Sequence, residues 1–246
     1  MQLPTYVALS RLVAQQRSMD VTAMNLANAN TPGFKAERTV FSDWISKQDG
    51  PGLPQGGKTV AFTQDRATYR EQQAGAIEHT GNPFDLAVSG PGYFTVDTAQ
   101  GPRLTRAGRF TPLADGRIGD VDGNALLDKA GRPIRLSGNE TQITVNGDGS
   151  VNSENGPVGT IGIVQPSDVN RMTAEGGRLL RADTPTAAVT APHLVQGAIE
   201  GSNVQPILEL TRMMADLRSF EFTSQFVQSE ADRQQSSIDK LTQVKA

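Results

Sequence analysis

Near the start of the chain, Leu9, Leu12, Gln16, Met19, Ala23 and Leu26 fall at alternating steps of three and four. Near the end, Leu210, Met213, Leu217, Phe220, Ser224, Val227, Ala231, Gln234, Ile238 and Leu241 repeat the pattern. Such steps gather residues on one stripe of a helix, with the spacing of a coiled-coil seam. One helix is therefore predicted from about Thr5 to Asn28 and another from Pro206 to about Val244. Pro4 suits a helix start, and Asn28-Ala29-Asn30-Thr31-Pro32-Gly33 suits an end. The second helix would run roughly 55–60 Å, longer than a small domain needs. Polar breaks at Gln16, Ser224 and Gln234 make each stripe marginal alone, so both helices call for partners.

The stretch between them carries no comparable stripe. Phe84-Asp85-Leu86-Ala87-Val88, Tyr93-Phe94-Thr95-Val96, Gln142-Ile143-Thr144-Val145 and Gly159-Thr160-Ile161-Gly162-Ile163-Val164 read as short strands. Asp115-Gly116, Asp122-Gly123, Asn146-Gly147, Asp148-Gly149 and Asn155-Gly156 read as the turns between them. The fold class is thus α+β: terminal α-helices forming a coiled-coil domain, with an inserted all-β domain. The expected divisions are residues 1–35, an extended linker over 36–74, a β-rich domain over 75–199 and a C-terminal helix over 200–246. Within the linker, Asp49 to Gly57 is rich in Gly and Pro and reads as a mobile loop, with one strand near Val60-Ala61-Phe62. A short echo brackets the β region: Gly75-Ala76-Ile77-Glu78 recurs as Gly197-Ala198-Ile199-Glu200. The two copies are expected to lie near each other.

Composition narrows the chemistry. There is no Cys, which excludes disulfides and thiolate metal sites, and only two His are present, too few for a multi-His centre. The net charge of −3 gives no basic footprint for nucleic acid. No apolar run is long enough to span a bilayer. The opening residues lack a basic segment followed by an apolar core, so no cleavable secretory signal is expected. Asp120-Val121-Asp122-Gly123 and Asn146-Gly147-Asp148-Gly149 lack the sixth-position Gly and twelfth-position Glu of a calcium loop, and read as turns. Ser89-Gly90-Pro91-Gly92 lacks the Lys-Ser/Thr ending of a phosphate loop. No catalytic, cofactor-binding or metal residues are assigned, and no cofactor or small-molecule substrate is expected.

Asn25 is different, because it sits inside the first helix beside the stripe, where it costs helix propensity. Such a residue can offset that cost by hydrogen-bonding across an interface and fixing register. Here the chain meets a family. Met24-Asn25-Leu26-Ala27-Asn28-Ala29-Asn30-Thr31-Pro32-Gly33-Phe34-Lys35 resembles the N-terminal signature of bacterial flagellar rod and hook proteins, with Met24 where an Asn is usual. Thr80-Gly81-Asn82-Pro83-Phe84-Asp85-Leu86-Ala87-Val88 and Leu104-Thr105-Arg106-Ala107-Gly108-Arg109-Phe110 are a second match. Val195-Gln196-Gly197-Ala198-Ile199-Glu200-Gly201-Ser202-Asn203-Val204 is a third. Residues from about Pro112 to Pro192 match only loosely. The opening Tyr6 to Arg11 and the moderate length look most like proximal-rod members, with distal-rod members next and hook proteins usually longer.

The resemblance implies a structural subunit of the basal-body rod, exported through the flagellar channel without a cleaved signal and polymerised in the periplasm. Its implied partners are copies of itself, other rod proteins and the export apparatus. The residues expected at the assembly interface are Leu9, Leu12, Met19, Asn25, Leu26, Asn28, Leu210, Met213, Leu217, Phe220, Val227, Ile238 and Leu241. The contrasting reading is a periplasmic wall-acting hydrolase with paired carboxylates in a β-domain cleft.

Overall fold

The computed structural model describes residues 3–48, 58–137, 140, 142–176 and 178–243. The loop read at Asp49 to Gly57 lies outside the described residues. The chain forms two compact units. A helical unit takes residues 1–27, 37–71 and 205–246, and a β unit takes 28–36 and 72–204.

In the helical unit, α1 spans Leu3–Ala27 and α2 spans Pro206–Gln243. Pro206 occupies the first helical position, where its missing N–H is not needed. The segment read as an extended linker forms instead a long antiparallel hairpin of β1 (Glu37–Gln48) and β2 (Lys58–Arg70). Its register runs from Glu37↔Arg70 to Gln48↔Lys58, with a shift between Val40 and Phe41. Two runs free of Gly and Pro, rich in Thr, Val and aromatic residues, explain it: Thr39, Val40 and Phe41 lie opposite Thr68, Ala67 and Asp65 in register, and Trp44 and Ile45 opposite Phe62 and Ala61. The ion pair of Arg70 with Glu37, 2.8 Å, closes its base.

The β unit is built from short strands. They are β3 (Ile77–His79), β4 (Leu86–Val88), β5 (Tyr93–Thr98), β6 (Gly101–Thr105), β7 (Phe110–Pro112), β8 (Ile118–Asp120), β9 (Ala125–Leu126), β10 (Ile143–Val145) and β11 (Ser150–Ser153). Then come β12 (Gly156–Thr160), β13 (Ile163–Pro166), β14 (Met172–Glu175), β15 (Leu179–Ala182), β16 (Thr186–Ala188), β17 (Leu194–Gln196) and β18 (Ala198–Glu200). The largest sheet runs β14-β15-β6-β5-β9-β8-β7, with β13 bridging β5 and β16. β10-β11-β12 form a second sheet, and β4-β17 and β3-β18 form two-stranded ribbons. The run Gly159 to Val164, read as one strand, is broken between β12 and β13. There Gly162 passes so close to Asp128 that a Cβ would lie 2.7 Å from its carbonyl oxygen.

Alternation sets the core. Phe94 and Val96 point inward from β5, joined by Leu86, Val88, Phe110, Ile118, Leu126, Ile143, Val145, Val151, Ile161, Ile163 and Leu194. Phe94 and Phe110 meet edge to face, with centroids 5.2 Å apart. The turns that contain Gly123 and Gly149 are held by carboxylates that serve the backbone: Asp120 accepts from the N–H groups of Asp122 and Asn124, and Asp148 from that of Ser150. The Thr80-to-Asp85 motif is a cradle for buried Asp85, which accepts from the Thr80 hydroxyl and the Asn82 amide. Gly108 is required by proximity, since a Cβ there would lie 1.6 Å from the Leu86 carbonyl oxygen. The two echo segments pair directly, with Ile199 opposite Glu78 and Glu200 opposite Ile77.

Truncating Phe110 to Ala removes one half of the aromatic pair from a fully buried position. The β unit should lose about 3–5 kcal/mol, read as a drop in the denaturant midpoint at unchanged m-value.

Candidate assembly surface

α1 and α2 run antiparallel, and polar groups set their register. Gln15 Nε2 donates to Ser219 Oγ at 2.6 Å, Ser18 Oγ to Asp216 Oδ2 at 2.7 Å, and Asn25 Nδ2 to Glu209 Oε2 at 3.4 Å. The α2 positions covered by this pairing are Glu209, Met213, Asp216, Phe220 with Ser219 beside it, Thr223, Val227, Glu230 and Gln234; leaving Ser219 aside, they fall in one series. They also step by four and three. They share Met213, Phe220, Val227 and Gln234 with the predicted stripe, but every other position lies one residue earlier. The facing surface of α1 is equally lean, with Ala8, Ala14, Thr22 and Asn25 buried. Thr22 and Thr223 satisfy their hydroxyls on the carbonyls four residues back, Ser18 and Ser219, which lets them face a neighbour without an unpaired donor.

One buried acid anchors the unit. Glu209 is 0% exposed. Arg38 grips both of its oxygens at 2.9 Å, Arg212 donates at 2.8 Å, and Asn25 approaches from α1. Asn25, also 0% exposed, spends its amide on the backbone of Glu37, donating to its carbonyl at 2.8 Å and accepting from its N–H at 2.9 Å. Arg38 continues to Glu71 at 2.7 Å. The network therefore ties α1, α2, β1 and the residue that follows β2 together. Burial would raise the Glu209 carboxyl, but the hydrogen bond and charge of Arg38, then Asn25 and Arg212, hold it below the ordinary value.

The offset turns the predicted apolar residues outward. Leu9, Leu210, Leu217 and Ile238 are exposed. Leu12, Met19, Leu26, Asn28, Met213, Phe220 and Val227 are half-buried, and the Leu241 side chain lies outside the described residues. Among the described residues of the expected set, only Asn25 is fully buried within the chain. Other exposed apolar residues extend the surface. On α1 these are Tyr6, Val13 and Met24. On α2, Ile207, 82% exposed, and Met214 join Leu210 and Leu217 on one flank, while Phe222, 74% exposed, and Phe226 lie on another. Sequence reasoning missed Glu209 because it followed apolar residues. Glu209, Asp216, Thr223 and Glu230 recur every seven residues and were the available signal.

Among the described residues no cluster of His, Cys, Asp or Glu suits a metal ion, and no helix is long and apolar enough to cross a membrane. Three family profiles match the chain: "Flagella basal body rod protein" over residues 6–35, "Flagellar hook protein FlgE/F/G D1 domain" over 87–153, and "Flagellar basal body rod FlgEFG protein C-terminal" over 195–240. The chain is 35% identical to the flagellar basal-body rod protein FlgF of Caulobacter vibrioides, across 97% of this chain and 98% of that one. It is 34% identical to FlgF of Mesorhizobium japonicum, across 98% of each. The rod protein FlgG of Bacillus subtilis is 29% identical across 90% of this chain and 92% of its own length. The chain belongs to the flagellar basal-body rod protein family, a family of structural components of the flagellum's basal body.

Acid should loosen the helical unit through Glu209. Its pKa is depressed in the fold, so its contribution is complete above the unfolded value near 4.5 and is lost as pH falls through the folded value. Thermal melts of the wild type should therefore weaken below about pH 4.5. Glu209→Gln should be less stable at pH 7 and should lose part of that acid dependence.

Proposed function

We propose that this protein is a proximal-rod subunit that polymerises through its terminal helices into the axial drive shaft. The helical unit is the axial core, and its outward apolar flanks are seams for helices of neighbouring subunits, packed in coiled-coil fashion. The observation that carries this reading is the offset on α2. Its own partner, α1, takes the polar register, and the apolar register is left for others. Patches of this kind on a chain that is otherwise polar mark association surfaces. Identities of 35% and 34% to the FlgF proteins of Caulobacter vibrioides and Mesorhizobium japonicum, against 29% to the Bacillus subtilis FlgG, favour a proximal position.

The interface residues are then Leu9, Leu12, Met19, Leu26, Leu210, Met213, Leu217, Phe220, Val227, Ile238 and Leu241, with Asn25 and Asn28 shaping the end of α1. The partners are copies of the chain, other rod proteins and the export apparatus that delivers it to the periplasm. The function is structural and requires no substrate or cofactor.

Leu210→Asp and Leu217→Asp test the seam. Both side chains are about half exposed in the single subunit, 46% and 45%, so the monomer should change by no more than about 1 kcal/mol. In an assembled array each would bury a charge against apolar neighbours. Rods should fail to form and cells should not swim, while the purified variants melt like the wild type. Normal motility with either variant would exclude this flank as a seam.

A further inference from the structure

Three stretches distant in sequence meet at one buried group of the β unit. Glu200, on β18, is 1% exposed. Its Oε1 accepts from Lys35 Nζ and from the Gly75 N–H, and its Oε2 accepts from Arg106 Nη1 at 3.0 Å. Lys35 also donates to the Gln73 carbonyl at 2.8 Å. Arg106 donates to the carbonyls of Val88 and Gly90 and lies over the Tyr93 ring, 5.1 Å from its centre.

Residues 28–36 thus lie on the β unit as a strap. The Gly33 N–H donates to the Glu200 carbonyl at 2.8 Å, and the Ala36 N–H to Asn203 Oδ1 at 2.7 Å. Phe34, Ala36 and Val204 bury a small apolar cluster. Gly33, at φ +72°, passes so near Arg106 that a Cβ would lie 2.3 Å from its backbone carbon. The strap's own apolar contribution is slight, and its charged residue enters a site that already holds a cation. Burial lowers the Lys35 ammonium below the ordinary lysine value, Glu200 opposes this by hydrogen bond and charge, and Arg106 adds to the lowering.

We propose that Glu200 is a latch, so that residues 28–36 dock on the β unit only when β18 is in place to put a carboxylate between Lys35 and Arg106. Two cations and one carboxylate leave the site at a net charge of one. Without the carboxylate the strap would bring a second uncompensated cation into a buried site, which costs far more than an apolar replacement. Closure of the N-terminal segment is thereby made conditional on the C-terminal motif, more than 160 residues away. This inference is independent of how subunits assemble.

Amide exchange on the full chain tests it. In Glu200→Gln, residues 33–36 should exchange at least about 30-fold faster, while the amides of Phe94 and Val96 keep the wild-type rate. Adding Lys35→Met restores the net charge of the site, and the double variant should recover most of the strap's protection. Should Glu200→Gln fail to fold, a double variant that folds with a protected strap supports the latch. A strap exchanging at the wild-type rate in Glu200→Gln overturns it. So does a double variant that is no better than the single one.

Discussion

The helical unit depends on the burial of one carboxylate. Glu209 sits where α2 begins, and every group around it is there because an isolated buried acid would be intolerable. Arg38 must come from the hairpin, Asn25 from α1 and Arg212 from the next turn of α2. These demands fix the rotation of α2 about its axis. Once that rotation is fixed, Asp216, Thr223 and Glu230 face α1 and the leucines cannot. The outward apolar flanks follow from how the acid is satisfied.

A polar seam between helices is weak in net energy, because each hydrogen bond made in the fold replaces one made to water. It is selective, however, since a shift of one residue would leave Glu209 without Arg38. Apolar packing has the opposite character, being stronger per area and more tolerant of slippage. The chain uses the selective interaction inside the subunit. It leaves apolar side chains of α2 exposed on the surface.

Much of this architecture was legible in the sequence. Both helices, the strands around Leu86, Phe94 and Ile143, the turns at Asp120 and Asp148, and the pairing of the two Gly-Ala-Ile-Glu segments could be read from pattern. Leu210 and Leu217 were visible as a stripe, but their direction was not. Two seven-residue registers interleave on α2, and hydrophobicity alone selects the wrong one as the internal seam. The hairpin was obscured because the Gly/Pro-rich run at its centre resembles a linker, while its strands lack a clean alternation. The roles of Lys35, Arg106 and Glu200 were hidden for another reason. Each lies in a recognisable motif, but only tertiary structure brings the three motifs to one point.

The register of the helix pair has a mechanical consequence. With Asn25 beside Glu209 and Gln15 beside Ser219, Leu3 comes level with Ala231, and α2 continues to Gln243. About 18 Å of helix therefore overhangs its partner. Where another helix covers such an overhang, the joint is a lap rather than a butt. Load then passes as shear distributed along many side chains, and no single contact must bear it in tension.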